Sequence, residues 1–220
     1  ASAGFDWLLI DGEHAPNDIR SLSAQLAVVA PRAHAVVRLP DGDPAKIKQA
    51  LDIGAQSLLI PMVESAEQAE MLVRATRYPP QGFRGVGSAL ARASDFGGIA
   101  DYLGTANAQI CLILQIESMR GLAAMDSILA TPGVDGVFIG PSDLAADMGH
   151  LGQVQHPDVQ AAVLDALSRI RAAGRIAGML STTPDLVASC KQAGANFVGV
   201  GIDVTLFTGA LRSLAKDYCG

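Results

Sequence analysis

Uninterrupted apolar runs long enough to cross a bilayer are missing, although 50% of the 220 residues are apolar. A spanning helix needs about 20 consecutive apolar residues, so no membrane-spanning role is expected. Charge is also scarce, at 17% of residues, and the net charge is −6 with no cluster of lysine or arginine. That balance argues against nucleic acid and anionic membrane as partners. Only three cysteines occur, Cys111, Cys190 and Cys219. They show no metal-ligand spacing and cannot all pair with one another. No charged segment followed by a short apolar one marks a secretory signal, and the expected location is cytoplasmic.

What is present is a repeating alternation within one domain spanning 1–220. Short apolar runs recur at Trp7–Asp11, Ala35–Leu39, Ser57–Val63, Cys111–Glu117, Gly136–Gly140, Ile176–Leu180 and Phe197–Gly201. Continuous rather than alternating hydrophobicity suits parallel strands covered on both faces. Between them lie segments of helical period, with Asn17, Asp43 or Asp41, Ser65 and His156-Pro157 as starts. Such an order implies right-handed βαβ units. "ASAGFDWLLI", "LDIGAQSLLI", "TPGVDGVFIG" and "KQAGANFVGV" each place a glycine between a helix end and a strand, where a left-handed cap is needed. The chain itself opens on such a seam, so a preceding strand is expected outside it. Seven strands and that one make eight, which favours a closed (β/α)8 TIM barrel. The stretch 78–108 is too rich in glycine, proline and arginine for a core helix and reads as a long loop with a helix near Ile99–Asn107. A long loop in a compact domain is more often functional than idle.

In such barrels the carboxyl ends of the strands carry the chemistry. There the sequence deposits Asp11, Glu13 and His14, then Arg38, Pro61 and Met62, then Gln115 and Glu117, and finally Gly140, Pro141, Ser142 and Asp143. Taken singly, several have ordinary readings. Asp143 suits a helix N-cap, Arg38 a structural counter-ion, and His14 a structural histidine. Glu117 is harder to dismiss, because it shares one side of a strand with Gln115 and an unpaired carboxylate beside a core is costly. Two acids from separate strands with no cysteine or neighbouring histidine make a hard oxygen site. Mg²⁺, Mn²⁺ or Co²⁺ suits it better than a closed zinc centre, and two ligands leave room for a chelating 2-oxo acid. Arg38 offers a fork to a developing enolate oxygen, and His14 a proton-transfer group. Backbone N–H groups of Ser142 and Asp143 could hold a substrate carboxylate. An imine mechanism is disfavoured, since the four lysines, Lys46, Lys48, Lys191 and Lys216, all fall on expected helices.

These segments are familiar as a set. "GFDWLLIDGEHAPND", "VVRLP", "RYPPQGFRGVGSALARAS", "LQIES" and "GVDGVFIGPSDLAADMG" closely resemble the HpcH/HpaI aldolase family, the class II pyruvate aldolases, over essentially the whole chain. The resemblance implies a (β/α)8 barrel whose last helix, here Leu206–Tyr218, is exchanged between neighbours in a homo-oligomer, a hexamer built as a trimer of dimers. It implies Glu117 and Asp143 as metal ligands, with no organic cofactor. Arg38 would bind the pyruvyl oxygen, His14 would act in proton transfer, and Asp52 would be the acidic partner of that histidine. Gln115 would lie beside the metal and Asp11 near the aldehyde end, with Arg92, Met62 and Phe207 shaping that side. The implied reaction is reversible cleavage of a 4-hydroxy-2-oxo acid to pyruvate and an aldehyde through a metal-bound enolate. Two alternatives stand beside it: an acyl-CoA C–C lyase of the citrate lyase β or malyl-CoA type, and a silent barrel that binds 2-oxo acids.

Overall fold

The fold was analysed in a computed structural model that describes residues 1–219. Its elements run β1 (Trp7–Asp11), α1 (Ile19–Val29), β2 (His34–Arg38), α2 (Pro44–Asp52), β3 (Ser57–Ile60), α3 (Ala66–Thr76), α4 (Tyr102–Thr105), β4 (Cys111–Ile116), α5 (Met119–Ala130), β5 (Gly136–Ile139), α6 (Pro141–Asp147), α7 (Pro157–Ala172), β6 (Ile176–Leu180), α8 (Pro184–Gln192), β7 (Phe197–Gly199) and α9 (Asp203–Cys219). Every strand is parallel to its neighbour, and spatial order follows chain order from β1 to β7.

The expected closed eight-stranded barrel is not what forms. The sheet is an open, curled, seven-stranded one, and among the described residues no ladder joins β7 to β1. Eight rested on a strand outside these residues, and without it β1 and β7 are both edges. Their side chains nevertheless meet, for Trp7 stacks on Phe197 with ring centroids 4.0 Å apart. Gly178 on β6 makes that curl sterically possible, since a Cβ there would come within 2.5 Å of the Phe138 ring and 3.1 Å of Phe197.

Alternation along each strand separates two cores. One set of side chains, including Val37, Leu58, Ile60, Leu112, Leu114, Val137 and Ile139, packs outward against the helices. The other set, Val36, Leu59, Ile113 and Phe138 with Trp7, Leu9, Leu180 and Phe197, fills the concave face. The helices answer the outer set: α7 buries Val159, Val163, Ala166, Leu167 and Ile170 along one stripe, each large aliphatic contributing about 1.5–3 kcal/mol. Helix starts follow side-chain chemistry. Ser65, Asp43 and His156 cap α3, α2 and α7 as the sequence suggests, while Asp18 rather than Asn17 caps α1.

Helix α9 stands apart, with no buried residue. The loop after α3 holds two short 3-10 turns, then α4 and a third such turn in place of the longer helix expected there. Among the described residues no helix is long and apolar enough to cross a membrane.

Candidate active site

Period two continues past the end of the concave core and changes its chemistry. Two residues beyond Leu9 is Asp11, two beyond Val36 is Arg38, and two and four beyond Ile113 are Gln115 and Glu117. The inward face is therefore apolar at mid-height and ionisable at the carboxyl rim.

Asp11 and Arg38 lie opposite each other in the β1–β2 register. Arg38 Nε donates to Asp11 Oδ1 at 2.8 Å and Nη2 to Oδ2 at 2.7 Å, a two-pronged pairing. Burial pulls the Asp11 carboxyl upward, but the Arg38 hydrogen bonds and charge, with the N–H groups of Glu13 and His14, outweigh it and hold the carboxyl below its ordinary range. Burial likewise works against the Arg38 cation, and Asp11, Glu13 and Glu117 more than offset it, raising its pKa. The third nitrogen, Nη1, stands 2.9 Å from Glu13 Oε2. That contact lacks hydrogen-bond alignment, and Oε2 is left buried with no hydrogen-bond partner.

Glu117 is 3% exposed and Gln115 2%. Gln115 Nε2 donates to Glu117 Oε2 at 2.6 Å, and the backbone N–H of Met62 to Oε1 at 2.9 Å. Met62 reaches that position with φ +57°, a left-handed conformation uncommon outside glycine. Burial pushes the Glu117 carboxyl above its ordinary range, and the charges of Glu13 and Asp143 add to it, against the two hydrogen bonds. Gly140 supplies the space: a Cβ there would collide with Glu117 Oε2 and stand 2.9 Å from the glutamate's own Cβ. Asp143 and Ser142 are exposed in the first turn of α6, whose N-cap Gly140 offers no side chain to its N–H groups. His14 projects from the β1–α1 loop with its side chain 67% exposed and Nε2 3.7 Å from Glu13 Oε2.

Four carboxylates, Asp11, Glu13, Glu117 and Asp143, thus influence one another around a single guanidinium. That surplus of negative charge suits a divalent cation. The donor set fits one: each Glu117 oxygen keeps a second lone pair beside the hydrogen bond it accepts, and Gln115 Oε1 is buried without a partner. Another set of ligand atoms, on His150, His156 and Asp158, lies within 4.8 Å of one another. It suits an ion less well. The two imidazoles stack with centroids 3.6 Å apart and planes 15° from parallel, so one ion cannot lie in both ring planes. His156 Nδ1 also accepts the Asp158 N–H at 3.3 Å.

Three expected residues lie elsewhere in the chain. Asp52 ends α2, at the amino-terminal rim of the sheet, where Arg84 Nη2 donates to it at 2.7 Å. Arg92 is on the same rim, its Nη1 donating to the Ile53 carbonyl at 3.0 Å. A cleft of about 460 Å³ opens there between Arg84, Arg92, Phe96 and Tyr102, away from the carboxylates. Phe207 is on α9, exposed. Sequence reasoning in turn gave no role to three contributors. Glu13 was visible only as an acid beside His14. Gly140 and the Met62 N–H act through space and backbone, which leave little trace in a residue pattern.

Comparison with known proteins shows which family the chain belongs to. The chain is 61% identical over 218 residues to a hydroxypyruvate/pyruvate aldolase of Roseovarius nubinhibens, covering 98% of this chain and 85% of that protein. It is 54% identical over 219 residues to a 4-hydroxy-2-oxo-heptane-1,7-dioate aldolase of Klebsiella pneumoniae, covering 99% of this chain and 83% of that protein. Among solved structures, an HpcH/HpaI aldolase/citrate lyase family protein of Burkholderia cenocepacia superimposes with TM-score 0.93 at 42% identity, covering 99% of this chain and 87% of that one. The family profile described as HpcH/HpaI aldolase/citrate lyase matches residues 1–210, and the chain belongs to that family.

Proposed function

We propose that the acidic carboxyl rim of the sheet is a divalent-cation site at which a 4-hydroxy-2-oxo acid is cleaved to pyruvate and an aldehyde. The enzyme is an aldolase, a carbon–carbon lyase, as its relatives are named. The observation that carries the site assignment is Glu117, a carboxylate 3% exposed with its pKa raised by burial and by neighbouring acids. Such a group calls for a compensating positive charge. Glu117 and Asp143 would hold the ion, with Mg²⁺, Mn²⁺ and Co²⁺ the candidates for this oxygen donor set. Bound there, the ion would supply Lewis acidity to a 2-oxo acid.

The chain's own residues do the rest. Asp11 fixes two nitrogens of Arg38 and so aims the guanidinium at the rim, where it shares the negative charge that develops on the 2-oxo oxygen. His14 takes the proton of the 4-hydroxyl group. The C4–O bond becomes a carbonyl, the C3–C4 bond breaks, and its electron pair passes into the enolate. His14 then returns the proton to C3, giving pyruvate. Side chains leave the N–H groups of the first turn of α6 uncapped, and these would receive the substrate carboxylate.

In one chain Asp52 cannot reach His14, because the two occupy opposite rims of the sheet. A role for Asp52 or Arg92 in catalysis would require a second copy. The uncovered helix α9 supports assembly into a homo-oligomer, for which a hexamer is the proposed form.

Release of pyruvate from short 4-hydroxy-2-oxo acids, coupled to its reduction by lactate dehydrogenase, tests the reading. Release should stop with a chelator and return with added Mn²⁺. Cleavage that ignores the chelator, or none from any such acid, would refute it.

A further inference from the structure

Arg84 has no part in the reaction as stated above, yet the fold buries it to 3% exposure. A charge is costly to bury unless it is paired. The chain leaves α3 in a tight return at Gly82, where a Cβ would collide with the Arg74 carbonyl. The Phe83 N–H then donates to that carbonyl at 3.0 Å, and the Arg84 N–H to the Arg77 carbonyl at 2.9 Å. So anchored, the Arg84 guanidinium lies over the Tyr78 ring, 4.4 Å from its centroid, a favourable seat for a cation. Nη2 stands 3.5 Å from the Tyr102 hydroxyl. Among the described residues its one ion pair is with Asp52, Nη2 donating to Oδ1 at 2.7 Å.

Asp52 is the last residue of α2, and its side chain is 28% exposed. Its Oδ1 is taken by Arg84, while among the described residues no group donates to Oδ2. The helix end is braced as well, since Arg92 Nη1 donates at 3.0 Å to the carbonyl of Ile53, the residue that caps α2. Two arginines of one loop therefore hold this carboxylate with one oxygen unused. Asp52 borders a cleft of about 610 Å³ lined by Lys48, Ile53, Val86, Leu90 and Phe96. Val86, Leu90 and Phe96 are all exposed, and a contiguous uncovered apolar patch marks an association surface. Lys48, Arg84 and Arg92 give its border positive charge, whereas four carboxylates crowd the carboxyl rim. The two rims are thus complementary in charge. Resemblance makes Asp52 the partner of His14, and within one chain the two lie on opposite rims, so the pairing has to cross between copies.

We infer that Arg84 is a positioning residue: by holding Oδ1 of Asp52 it presents Oδ2 to His14 of a second copy, whose carboxyl rim docks on the Val86–Phe96 surface. A hydrogen bond to one oxygen stops the carboxylate from rotating about its Cβ–Cγ bond. The rigid seat of Arg84 between Tyr78 and the end of α3 makes that bond a fixed reference. An imidazole that donates to a carboxylate from one nitrogen accepts at the other, so a fixed carboxylate also fixes the tautomer. Each site is then built from two chains. Arg38, His14, Glu117 and Asp143 come from one, and Asp52 with Arg84 from the other. The inference rests on the aldolase reading for its catalytic meaning, and adds to it a residue that never touches the substrate.

The test is complementation between copies. Chains carrying His14→Gln, Asp52→Asn or Arg84→Gln, each with its own affinity tag, are co-expressed in pairs, and mixed oligomers are assayed for pyruvate release. His14→Gln with Asp52→Asn should recover about a quarter of wild-type turnover, the share of sites that draw both halves intact in random assembly. His14→Gln with Arg84→Gln should recover as much, which also shows that the Arg84→Gln chain folds and lends a working His14. Asp52→Asn with Arg84→Gln should recover nothing, because both damage the same half. Alone, Arg84→Gln should lower kcat about tenfold or more with KM little changed. Added to Asp52→Asn it should cost nothing further, as expected of a residue that acts only through Asp52. Arg84→Lys, which keeps a donor for Oδ1, should restore part of the loss. Wild-type kcat in Arg84→Gln, recovery from the Asp52→Asn and Arg84→Gln pair, or no recovery from either pair with His14→Gln would each overturn the inference. If the wild type releases no pyruvate the aldolase reading falls. Oxidation of a chain carrying both His14→Cys and Asp52→Cys then reads the docking by itself: a disulfide-linked dimer absent from either single variant is expected, and its absence refutes the contact.

Discussion

Arg38 and Asp11 end adjacent strands in register and are joined by two hydrogen bonds, 2.8 and 2.7 Å long, in a single plane of recognition. The pairing consumes two arms of the guanidinium and leaves Nη1 toward the rim. Lysine cannot reproduce it, since an ammonium is a point charge on a flexible stem. Arg38→Lys should therefore lower kcat by about a hundredfold while KM changes much less, as steady-state kinetics of pyruvate release would show. A rise in KM with kcat intact would mean that Arg38 serves ground-state binding instead.

Glu117 makes a prediction about stability and pH. Its folded pKa is raised, chiefly by burial, so the ionised form is less favourable in the fold than in the unfolded chain. Above the raised value the metal-free protein carries that penalty. As pH falls through the window between the raised value and the ordinary glutamate range, the penalty is relieved. Glu117→Gln should accordingly raise the melting temperature of the metal-free protein at neutral pH and flatten its gain on mild acidification. Mn²⁺ should stabilise the wild type by about 2.7 kcal/mol at a hundredfold excess over Kd, raising its melting temperature, and leave Glu117→Gln unmoved. Scanning calorimetry with and without the ion reads both effects. A destabilised glutamine variant would contradict the assignment of Glu117 as an uncompensated buried charge.

Space beside Glu117 is as necessary as the carboxylate itself. In Gly140→Ala the added methyl meets Glu117 Oε2, and its Cβ at 2.9 Å, so the carboxylate has to swing away from Gln115 and Met62. The expected outcome is Mn²⁺ affinity weakened by about ten- to a hundredfold in a protein that still folds, measured by titration calorimetry. Unchanged affinity would show that Glu117 already points elsewhere when the ion binds.

Most of the fold was legible because hydrophobic period and glycine seams are local. All seven strands lie where continuous apolar runs placed them, within a few residues at each end. Closure was not legible, because it depends on what lies beside the β1 and β7 edges, and no residue pattern inside Trp7–Asp11 or Phe197–Gly199 encodes a ladder partner. At the site, the same alternation that buries Ile113 put Gln115 and Glu117 on the inward side. The pairing of Arg38 with Asp11 was not foreseen, since it depends on the β1–β2 register. The position of Asp52 illustrates the opposite limit. Resemblance assigns it to His14, whereas helix direction carries it to the far rim and into the hands of Arg84.

Helix α9 carries Phe207, Leu211, Leu214 and Tyr218 at spacings of four, three and four, and all are exposed. That spacing places them on one face, and an uncovered apolar stripe of this kind is the usual mark of an association surface. Within its own chain the helix buries nothing, so replacing these side chains removes no contact that holds the monomer together. Phe207→Glu combined with Leu211→Glu should shift sedimentation velocity to a smaller species and leave the far-ultraviolet circular dichroism of the fold intact. If catalysis draws Asp52 or Arg92 from a second copy, the same variant should also lose turnover while still binding Mn²⁺, because Glu117 and Asp143 lie outside α9. A wild type that sediments as a monomer at all concentrations would remove both the association surface and the shared-site role of Asp52.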